Sequence, residues 1–324
     1  MGCLQYARTA FLLHIIPIGI KNNTIKKIVI AAGTGFLGQV LVNHFENKAV
    51  EIVVLTRGKS KTKNTVRYIH WDAKTMTGWE RELENADALI NLAGKSVDCR
   101  YTPKNKSAIM ASRVDSTTIL NKAVLQCANP PKHWLNSSTA TIYRHSEDKQ
   151  MDEVNGEIGF DFSMNVARMW EKAFFQVETP QTKKTALRTS IVLGKSGGAY
   201  VPLKKLAYIG LGGKQGSGNQ FVSWIHEKDF ARAVAFIIDK EMEGVVNVVS
   251  PTPIRNIDFM KTLREVKNIP IGIPIGTLLL KLGAKIIGTE TELVLKSRNV
   301  IPQRLQENGF KFIYGDLEKA INKL

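Results

Sequence analysis

The feature that most constrains this chain is a glycine-rich turn that joins a short apolar segment to a helical pattern. The apolar segment is residues 27–31, and the turn holds Gly33, Gly35 and Gly38. A second apolar segment follows at 51–56, within the roughly 30 residues of a β-α-β unit. In such units the backbone N–H groups of the turn and the positive end of the helix face a pyrophosphate. The pattern predicts a dinucleotide-binding site.

The residues around this turn indicate which dinucleotide binds. The three glycines fit the pattern GxGxxG, whereas the other common register would begin at Ala32, which is not a glycine. The second apolar segment ends in Thr56 and Arg57 rather than in an acidic residue. A carboxylate at that place would bind a ribose 2′-hydroxyl, and an arginine favours a 2′-phosphate. The sequence therefore predicts NADP(H) rather than NAD(H), with a glycine-rich turn that binds no ligand as the alternative.

Composition narrows the class of protein and its partners. The 324 residues carry a net charge of +16, with 45 Lys and Arg against 29 Asp and Glu. The basic residues are spread along the chain and are not interleaved with aromatic residues, so we predict no nucleic-acid partner. The three cysteines are too few and too scattered for a disulfide framework or a zinc site, and no other cluster has metal-ligand spacing. We expect a protein of a reducing compartment, the cytoplasm, that binds no metal.

Residues 1–25 differ from the rest of the chain. Their apolar run, residues 10–20, is interrupted by His14 and Pro17 and is too short to span a bilayer. No small-x-small cleavage site follows it, and Tyr6 stands where a myristoylation signal needs Ser or Thr. We interpret residues 1–25 as an N-terminal extension that is disordered or not native, and we expect no stable membrane span. A segment that touches a membrane is the alternative.

Strand-like and helix-like segments alternate from residue 27 to residue 193, and the last strand is predicted at 186–193. This alternation predicts an α/β fold with a doubly wound parallel sheet. Ligands of such sheets lie at the carboxyl ends of the strands. Four of the segments that carry unusual residues end at that edge: 33–38, 56–57, 91–94 and 137–143.

Beyond Leu193 the composition changes. A glycine-dense loop at 210–220 precedes an apolar strand and a capped helix, which favours a substrate-facing loop over a surface linker. The tail after Asn256 predicts a small lid-like part. We divide the chain into the extension at 1–25, a dinucleotide-binding domain at 26–248 whose residues 194–225 contribute to the substrate lobe, and a small C-terminal lobe at 249–324.

Together these features resemble the extended short-chain dehydrogenase/reductase superfamily, also called the NAD-dependent epimerase/dehydratase superfamily. They are most similar to its atypical branch of epimerase-like proteins, which carry a C-terminal domain of unknown function. The resemblance covers about residues 26–320. Its branch-specific signals are Gly216-Ser-Gly218-x-Gln220 followed by Trp224-Ile-His226, and Val300-Ile-Pro302-x-Arg304.

The resemblance implies a Rossmann-type fold, NADP as the cofactor, and a C-terminal lobe that covers the nicotinamide. The cofactor-binding residues that it implies are Gly33, Gly35, Phe36, Leu37, Gly38, Thr56, Arg57, Leu92, Ala93, Gly94, Arg113 and Val192. We further take Gln220, Trp224 and His226 as substrate contacts. The expected substrate is a small molecule, either a sugar nucleotide or another carbonyl compound. The assembly is left open between a monomer and a homodimer.

The catalytic residues of this superfamily are only partly present. Its redox members use a Ser or Thr hydroxyl, a Tyr that acts as acid and base, and a Lys one helical turn later. Thr139 matches the hydroxyl, in a segment similar to that of the sugar-nucleotide epimerases. The positions that match the Tyr and the Lys hold Ser163 and Ala167, neither of which can replace them in proton transfer. The usual mechanism therefore cannot run in this chain.

Three functions stay open at this point. In the first, the protein is an oxidoreductase or epimerase and another residue supplies the proton, with Tyr143 preferred over Asp161 and His226. In the second, it binds NADP(H) without chemistry, as a catalytically inactive sensor or scaffold. In the third, the substrate supplies its own acid or base.

Overall fold

The computed structural model describes residues 25–46, 48, 50–288 and 290–324. Except for Ile25, the predicted N-terminal extension lies outside the described residues. The strands are β1 Lys27–Ala31, β2 Glu51–Thr56, β3 Lys61–Lys63, β4 Val66–His70, β5 Ala88–Asn91, β6 His133–Thr139, β7 Lys183–Thr189, β8 Ile191–Leu193, β9 Phe221–Val222, β10 Trp224–His226, β11 Gly244–Val248 and β12 Ile254–Arg255. The helices are α1 Phe36–Glu46, α2 Pro103–Gln126, α3 Phe162–Phe175, α4 Tyr200–Leu206, α5 Glu227–Asp239, α6 Asn256–Val266, α7 Thr277–Ile287, α8 Glu292–Leu295, α9 Gln303–Glu307 and α10 Leu317–Asn322.

Eight of these strands form one sheet, in the order β11-β7-β6-β5-β1-β2-β4-β3. Every neighbouring pair is parallel except β3 with β4. The order reverses at β1, which has β2 on one side and β5 on the other. This is the doubly wound parallel sheet that the sequence predicts. Its switch point, where ligands of such sheets bind, lies at the carboxyl ends of β1 and β5.

Helices cover both faces of the sheet because the central strands are apolar on both sides. On β1, Ile28 and Ile30 pack in one core layer with apolar residues of α1 and α5. Val29 and Ala31 point the other way, into a layer with apolar residues of α2 and α3. All four side chains are fully buried. The edge that carries the glycine turn is therefore held from both faces.

The strand predicted at 186–193 is in fact two strands, so that prediction is wrong. β7 ends at Thr189 and β8 begins at Ile191, with Ser190 between them. The N–H of Ser190 donates to the carbonyl oxygen of Val248 at 3.4 Å, at the end of β11. β7 pairs with β6 and β11, whereas β8 pairs in parallel with β10 in a separate sheet. The chain thus changes sheets at Ser190 because its two halves have different partners.

A smaller core lies in the C-terminal region. Tyr200, Trp224 and Phe259 are buried there together with Leu317 and Ile321, so that α4, α6 and α10 share one apolar cluster. Within the described ranges, no helix has the length and apolar character needed to cross a membrane. The predicted fold class, a Rossmann-type sheet with a smaller C-terminal part, is confirmed.

Candidate functional site

A cavity of about 500 Å³ opens at the carboxyl ends of the central strands. Small-molecule sites typically measure about 300–1,000 Å³. The glycine turn, the loop after β5, the end of β6 and the start of α3 form its walls. Among the residues that the sequence singles out, those that line it are Gly35, Phe36, Leu37, Gly38, Leu92, Gly94, Arg113 and Thr139.

The glycines of the turn serve different structural needs. A side chain at Gly38 would collide with the backbone of Gly33, so α1 packs this closely on the turn only with glycine there. Apart from its two chain neighbours, no atom of the described residues lies within 4 Å of a Cβ added at Gly35. The space beside Gly35 is therefore open to a ligand, and a side chain there would obstruct it. Ala32, which also lines the cavity, has a φ of 58°, a conformation that costs a non-glycine residue about 1–2 kcal/mol.

A buried amide network fixes the loop after β5. Asn91 Nδ2 donates to Asn136 Oδ1 at 2.7 Å, and Asn91 Oδ1 accepts from the N–H of Ala93 at 3.0 Å. Both asparagines are buried. Because buried amides are stable only when they are hydrogen-bonded, this network holds the backbone of residues 92–94 against the cavity.

Arg113 brings a partly buried positive charge to the cavity wall. Its Nη1 donates to the carbonyl oxygens of Lys95 and Ile109, both at 3.0 Å, and its guanidinium lies 5.0 Å from the centre of the Trp170 ring. Within the described part of the chain, it forms no ion pair with a carboxylate. Burial lowers the pKa of Arg113 to about 10. A partly buried cation without a carboxylate partner favours an anionic ligand, and a dinucleotide would supply phosphate.

Hydroxyl groups line the floor of the cavity. Thr139 Oγ1 accepts the N–H of Thr141 at 3.1 Å. The Oγ atoms of Ser163 and Ser190 are buried and have no hydrogen-bond partner in the described residues. A buried hydroxyl without a partner costs about 1–3 kcal/mol, so both are suited to bind a polar ligand. Sequence reasoning missed Ser190 because no spacing rule marks it.

Acid–base side chains are scarce at this cavity. Among the described residues that line it, Tyr101 and Arg113 are the only ones with ionisable side chains. The Tyr101 ring packs edge-on against Phe162, with 4.9 Å between the ring centres. Burial and the nearby Glu292 raise the pKa of Tyr101, which keeps its hydroxyl protonated near neutral pH. The sequence gives no signal for Tyr101, which reaches the cavity from the loop ahead of α2.

The structure places Tyr143 inside the protein core and not at the cavity. Its side chain is 0% exposed. Its hydroxyl donates to Asn247 Oδ1 and accepts from Arg188 Nη1, both at 2.9 Å, and burial raises its pKa. This placement argues against Tyr143 as the proton donor, because its hydroxyl is engaged and away from any substrate. The short helical turn at 140–142 separates it from Thr139.

The predicted substrate contacts Gln220, Trp224 and His226 are also buried, each at most 2% exposed, and none of them lines the cavity. Gln220 Nε2 donates to the carbonyl oxygen of Gln215 at 2.7 Å, and Trp224 Nε1 donates to that of Thr252 at 3.2 Å. His226 Nδ1 accepts a backbone N–H at the start of α5 at 3.1 Å. These side chains stabilise the C-terminal region, and the structure does not bring them to the cavity.

The glycine-dense loop predicted to face the substrate is bound to the C-terminal region instead. The N–H of Gly216 donates to the carbonyl oxygen of Ile275 at 2.9 Å, and the N–H of Gly213 donates to that of Ile273 at 3.2 Å. None of the residues 210–220 lines the cavity. Its glycines permit this close pairing: a side chain at Gly213 would collide with the backbone of residues 272–274.

The remaining predicted cofactor residues lie around the cavity and do not line it. Thr56 and Arg57 lie at the carboxyl end of β2, beside β1, and the Arg57 side chain is exposed. Lys59 is exposed in the same loop. Gly33 and Ala93 are buried, and Val192 is 6% exposed within β8.

A larger cavity of about 710 Å³ lies at the opposite edge of the sheet, where Asp87, Lys132 and Lys183 stand at the amino ends of strands. It has no glycine turn, and ligands of doubly wound sheets bind at the carboxyl edge, so we take the smaller cavity as the candidate site. In the described ranges, no group of three or more His, Cys, Asp or Glu side chains is arranged to hold a metal ion.

The fold and the cavity define a dinucleotide-binding α/β protein. Residues 28–160 match the NAD dependent epimerase/dehydratase family, and residues 277–324 match a domain of unknown function, DUF1731. The chain belongs to this epimerase/dehydratase family, the extended short-chain dehydrogenase/reductases, and carries the C-terminal domain of its epimerase-like branch. The resemblance drawn from the sequence motifs is confirmed.

Similar proteins align with almost the whole length of this chain. Epimerase family protein YfhF of Bacillus subtilis is 32% identical over 300 residues, which cover 92% of this chain and 97% of that protein. The crystal structure of human epimerase family protein SDR39U1 with NADPH has a TM-score of 0.81 and 27% identity, covering 92% of this chain and 98% of that chain. The nucleoside-diphosphate sugar epimerase from Corynebacterium glutamicum has a TM-score of 0.72 and 27% identity, covering 92% of this chain and 57% of that chain.

Proposed function

We propose that this protein binds NADP(H) at the glycine turn and acts as an epimerase-like oxidoreductase on a small carbonyl compound or sugar nucleotide. The observation that carries this proposal is the partly buried guanidinium of Arg113, which has no carboxylate partner among the described residues, at the same cavity as the open side of Gly35. Together they offer charge and space to a pyrophosphate. The NADPH in the human structure supports the choice of cofactor, and the Corynebacterium relative supports the substrate class.

Several groups of this chain would hold the cofactor. The turn 33–38 and the loop 92–94 would contact the pyrophosphate and ribose, and Arg57 at the end of β2 would pair with the 2′-phosphate. The nicotinamide, when bound, supplies hydride exchange with the substrate. We assign this binding to a domain at 26–248, with the lobe at 249–324 as its cover. Thr139, Ser163 and Ser190 would then orient polar atoms at the cavity floor.

The proton in this reaction needs a source other than the usual Tyr–Lys pair. The sequence resemblance matches the Tyr and Lys positions to Ser163 and Ala167, which both lie on α3. An inactive NADP(H)-binding sensor or scaffold is the second candidate function. It is favoured by the lining of the cavity, whose described residues include no carboxylate, imidazole or lysine.

The test of the cofactor is a titration of the purified protein with NADPH and with NADH, followed by tryptophan-to-nicotinamide energy transfer. We expect Arg57→Ala to weaken NADPH binding about 10- to 100-fold, as expected for a charge-assisted bond of roughly 1.5–3 kcal/mol, and to spare NADH binding. Arg81→Ala removes an equally exposed arginine from the 79–83 turn and serves as the control. Equal losses for both nucleotides in Arg57→Ala would contradict the choice of NADP.

A second experiment separates the two candidate functions. NADPH-loaded protein is mixed with a panel of sugar nucleotides and simple carbonyl compounds, and the nicotinamide absorbance and substrate epimers are followed. Turnover that is lost in Thr139→Ala supports an enzyme, because Thr139 is the hydroxyl that lines the cavity at the matching position. Tight NADPH binding without turnover on any of them favours the sensor or scaffold.

A further inference from the structure

An exposed apolar surface covers one side of α7 in the C-terminal region. Leu278, Leu279, Leu282 and Ile286 are 82%, 63%, 57% and 77% exposed, while Ala284 is 6% exposed. Helices of globular proteins normally turn such a stripe toward the core. None of the four exposed residues lines either cavity described above. The stripe is therefore available to a partner.

Neighbouring segments extend this surface. Ile271 and Ile273, in the loop before α7, are 62% and 54% exposed, and Tyr208 and Ile209, in the turn after α4, are 60% and 68% exposed. The two segments are joined directly, because the N–H of Ile273 donates to the carbonyl oxygen of residue 210 at 2.8 Å. We name these eight side chains the α7 surface. Exposed apolar patches of this extent mark interaction sites in soluble proteins.

The segments that form the α7 surface carry positive charge only. The sequence has no Asp or Glu between Glu178 and Glu227, and none between Glu265 and Glu290. On α7 itself, Lys281 and Lys285 are exposed beside the leucines. Other lysines in the same stretches include Lys204, Lys205, Lys214 and Lys267. The net charge of the whole chain, +16, has the same sign.

This combination of shape and charge selects one kind of partner. A second copy of the chain would bring the same lysines together, and like charges across an interface oppose association. An anionic lipid surface matches both features, because it accepts apolar side chains and attracts lysines. Amphipathic helices with leucines on one face and lysines beside them lie in the plane of such surfaces. With 11 residues, α7 is too short to cross the bilayer.

We propose that the α7 surface binds peripherally to an anionic membrane, with α7 in the interface plane and its leucines among the lipid headgroups and upper acyl chains. Lys281 and Lys285 would then face the negative headgroups. The proposal concerns a surface away from the dinucleotide cavity and stands independently of the proposed function.

Sedimentation of the full-length protein with lipid vesicles tests this proposal. We expect binding to vesicles of phosphatidylcholine mixed with phosphatidylglycerol, weak binding to phosphatidylcholine alone, and release by high salt. The double variant Leu278→Asp with Leu282→Asp should lower the bound fraction at least about 10-fold, since it removes apolar area and adds negative charge. Leu125→Asp changes a leucine that is 56% exposed on α2 and should bind as the wild type does.

A second readout keeps the proposal testable if the aspartate variant does not fold. The fluorescence of a tryptophan introduced by Leu282→Trp should be quenched by brominated lipids. The fluorescence of the five native tryptophans should not be quenched, because each of them is at most 5% exposed. No binding to anionic vesicles would overturn the proposal. Wild-type binding to anionic vesicles by the folded double variant would also overturn the proposal, because the membrane contact would then lie outside the α7 surface. A dimer in solution that the double variant dissociates, without vesicle binding, would assign the surface to a second copy.

Discussion

At the scale of single residues, a buried polar network connects the protein core to the cavity floor. Arg188 pairs with Glu171 at 2.8 Å, and these side chains are 7% and 12% exposed. Glu171 also accepts the hydroxyl of Ser138 at 2.6 Å, and Ser138 lines the cavity. Tyr143 also belongs to this network, because its hydroxyl accepts a hydrogen bond from Arg188. Buried ion pairs persist only where such additional hydrogen bonds satisfy them.

Tyr143→Phe tests this structural role. The variant keeps the ring but leaves Asn247 Oδ1 without its donor at 2.9 Å, so we expect the free energy of unfolding to fall by about 1–3 kcal/mol. NADPH affinity should stay unchanged, because the hydroxyl does not reach the cavity. Urea unfolding and NADPH titration measure the two effects, and Tyr208→Phe, at a position 60% exposed, is the control. Lost turnover or binding with unchanged stability would restore Tyr143 to the site.

The site residues that could be predicted from the sequence are those of the glycine turn, whose spacing follows from the geometry of the turn. Gly35 and Gly38 were predictable because a dinucleotide-binding strand–turn–helix unit needs one glycine to open the path of the pyrophosphate and another to let the helix pack against the turn. Tyr101 and Ser190 were not predictable, since each reaches the cavity from a segment distant in sequence. Tyr143 was misassigned because its distance from Thr139 along the chain says nothing of which way a helical turn directs it.

At the scale of elements, His226 links β10 to α5. Its Nδ1 accepts the N–H of Lys228 at 3.1 Å as the N-cap of α5, and its ring stacks on Tyr314 with 4.0 Å between ring centres. Burial lowers the pKa of His226 to about 4. Only the neutral ring can accept this bond, so protonation would remove the cap.

The stability of the protein should therefore depend on pH between about 4 and 6.5, the folded and ordinary pKa values of His226. In this range the unfolded chain binds a proton that the folded chain does not, so stability falls as the pH falls, by at most about 1.4 kcal/mol per pH unit for one such group. His226→Asn keeps an N-cap acceptor and removes the titrating ring, so its loss of stability with acid should be shallower.

Urea unfolding at a series of pH values measures this slope. His70→Asn, at an exposed position, should keep the wild-type slope. His44 and His133 also have pKa values lowered to about 4, mainly by burial, so the His226 variant should keep part of the dependence. An unchanged slope in His226→Asn would show that this ring does not contribute.

The first strands of the sheet follow their local patterns, whereas the segment 186–193 does not. β1 and β2 are apolar runs of the expected length, and the parallel sheet needs only that they pair. The split at Ser190 could not be read from residues 186–193, which form one continuous strand pattern. Its cause is the choice of β10 as partner for β8, which is a tertiary contact.

At the scale of the whole molecule, the sheet gathers separate segments at one edge. The turn after β1, the loop after β5 and the end of β6 meet there because their strands are parallel neighbours. The Asn91–Asn136 bond ties two of those ends together at 2.7 Å. Predicting that edge required only the alternation of strands and helices, whereas the packing of the C-terminal region depends on long-range contacts that single segments do not encode.

The central claim is that a dinucleotide binds in the open space beside Gly35, and a NADPH titration of Gly35→Val tests it most directly. In the part of the chain that the structure describes, only the adjacent residues lie within 4 Å of the added Cβ, so the free energy of unfolding should change by no more than about 0.5 kcal/mol. NADPH binding should be lost, because the new side chain would occupy the path of the pyrophosphate. A folded variant that binds NADPH with wild-type affinity would contradict the account and place the nucleotide elsewhere.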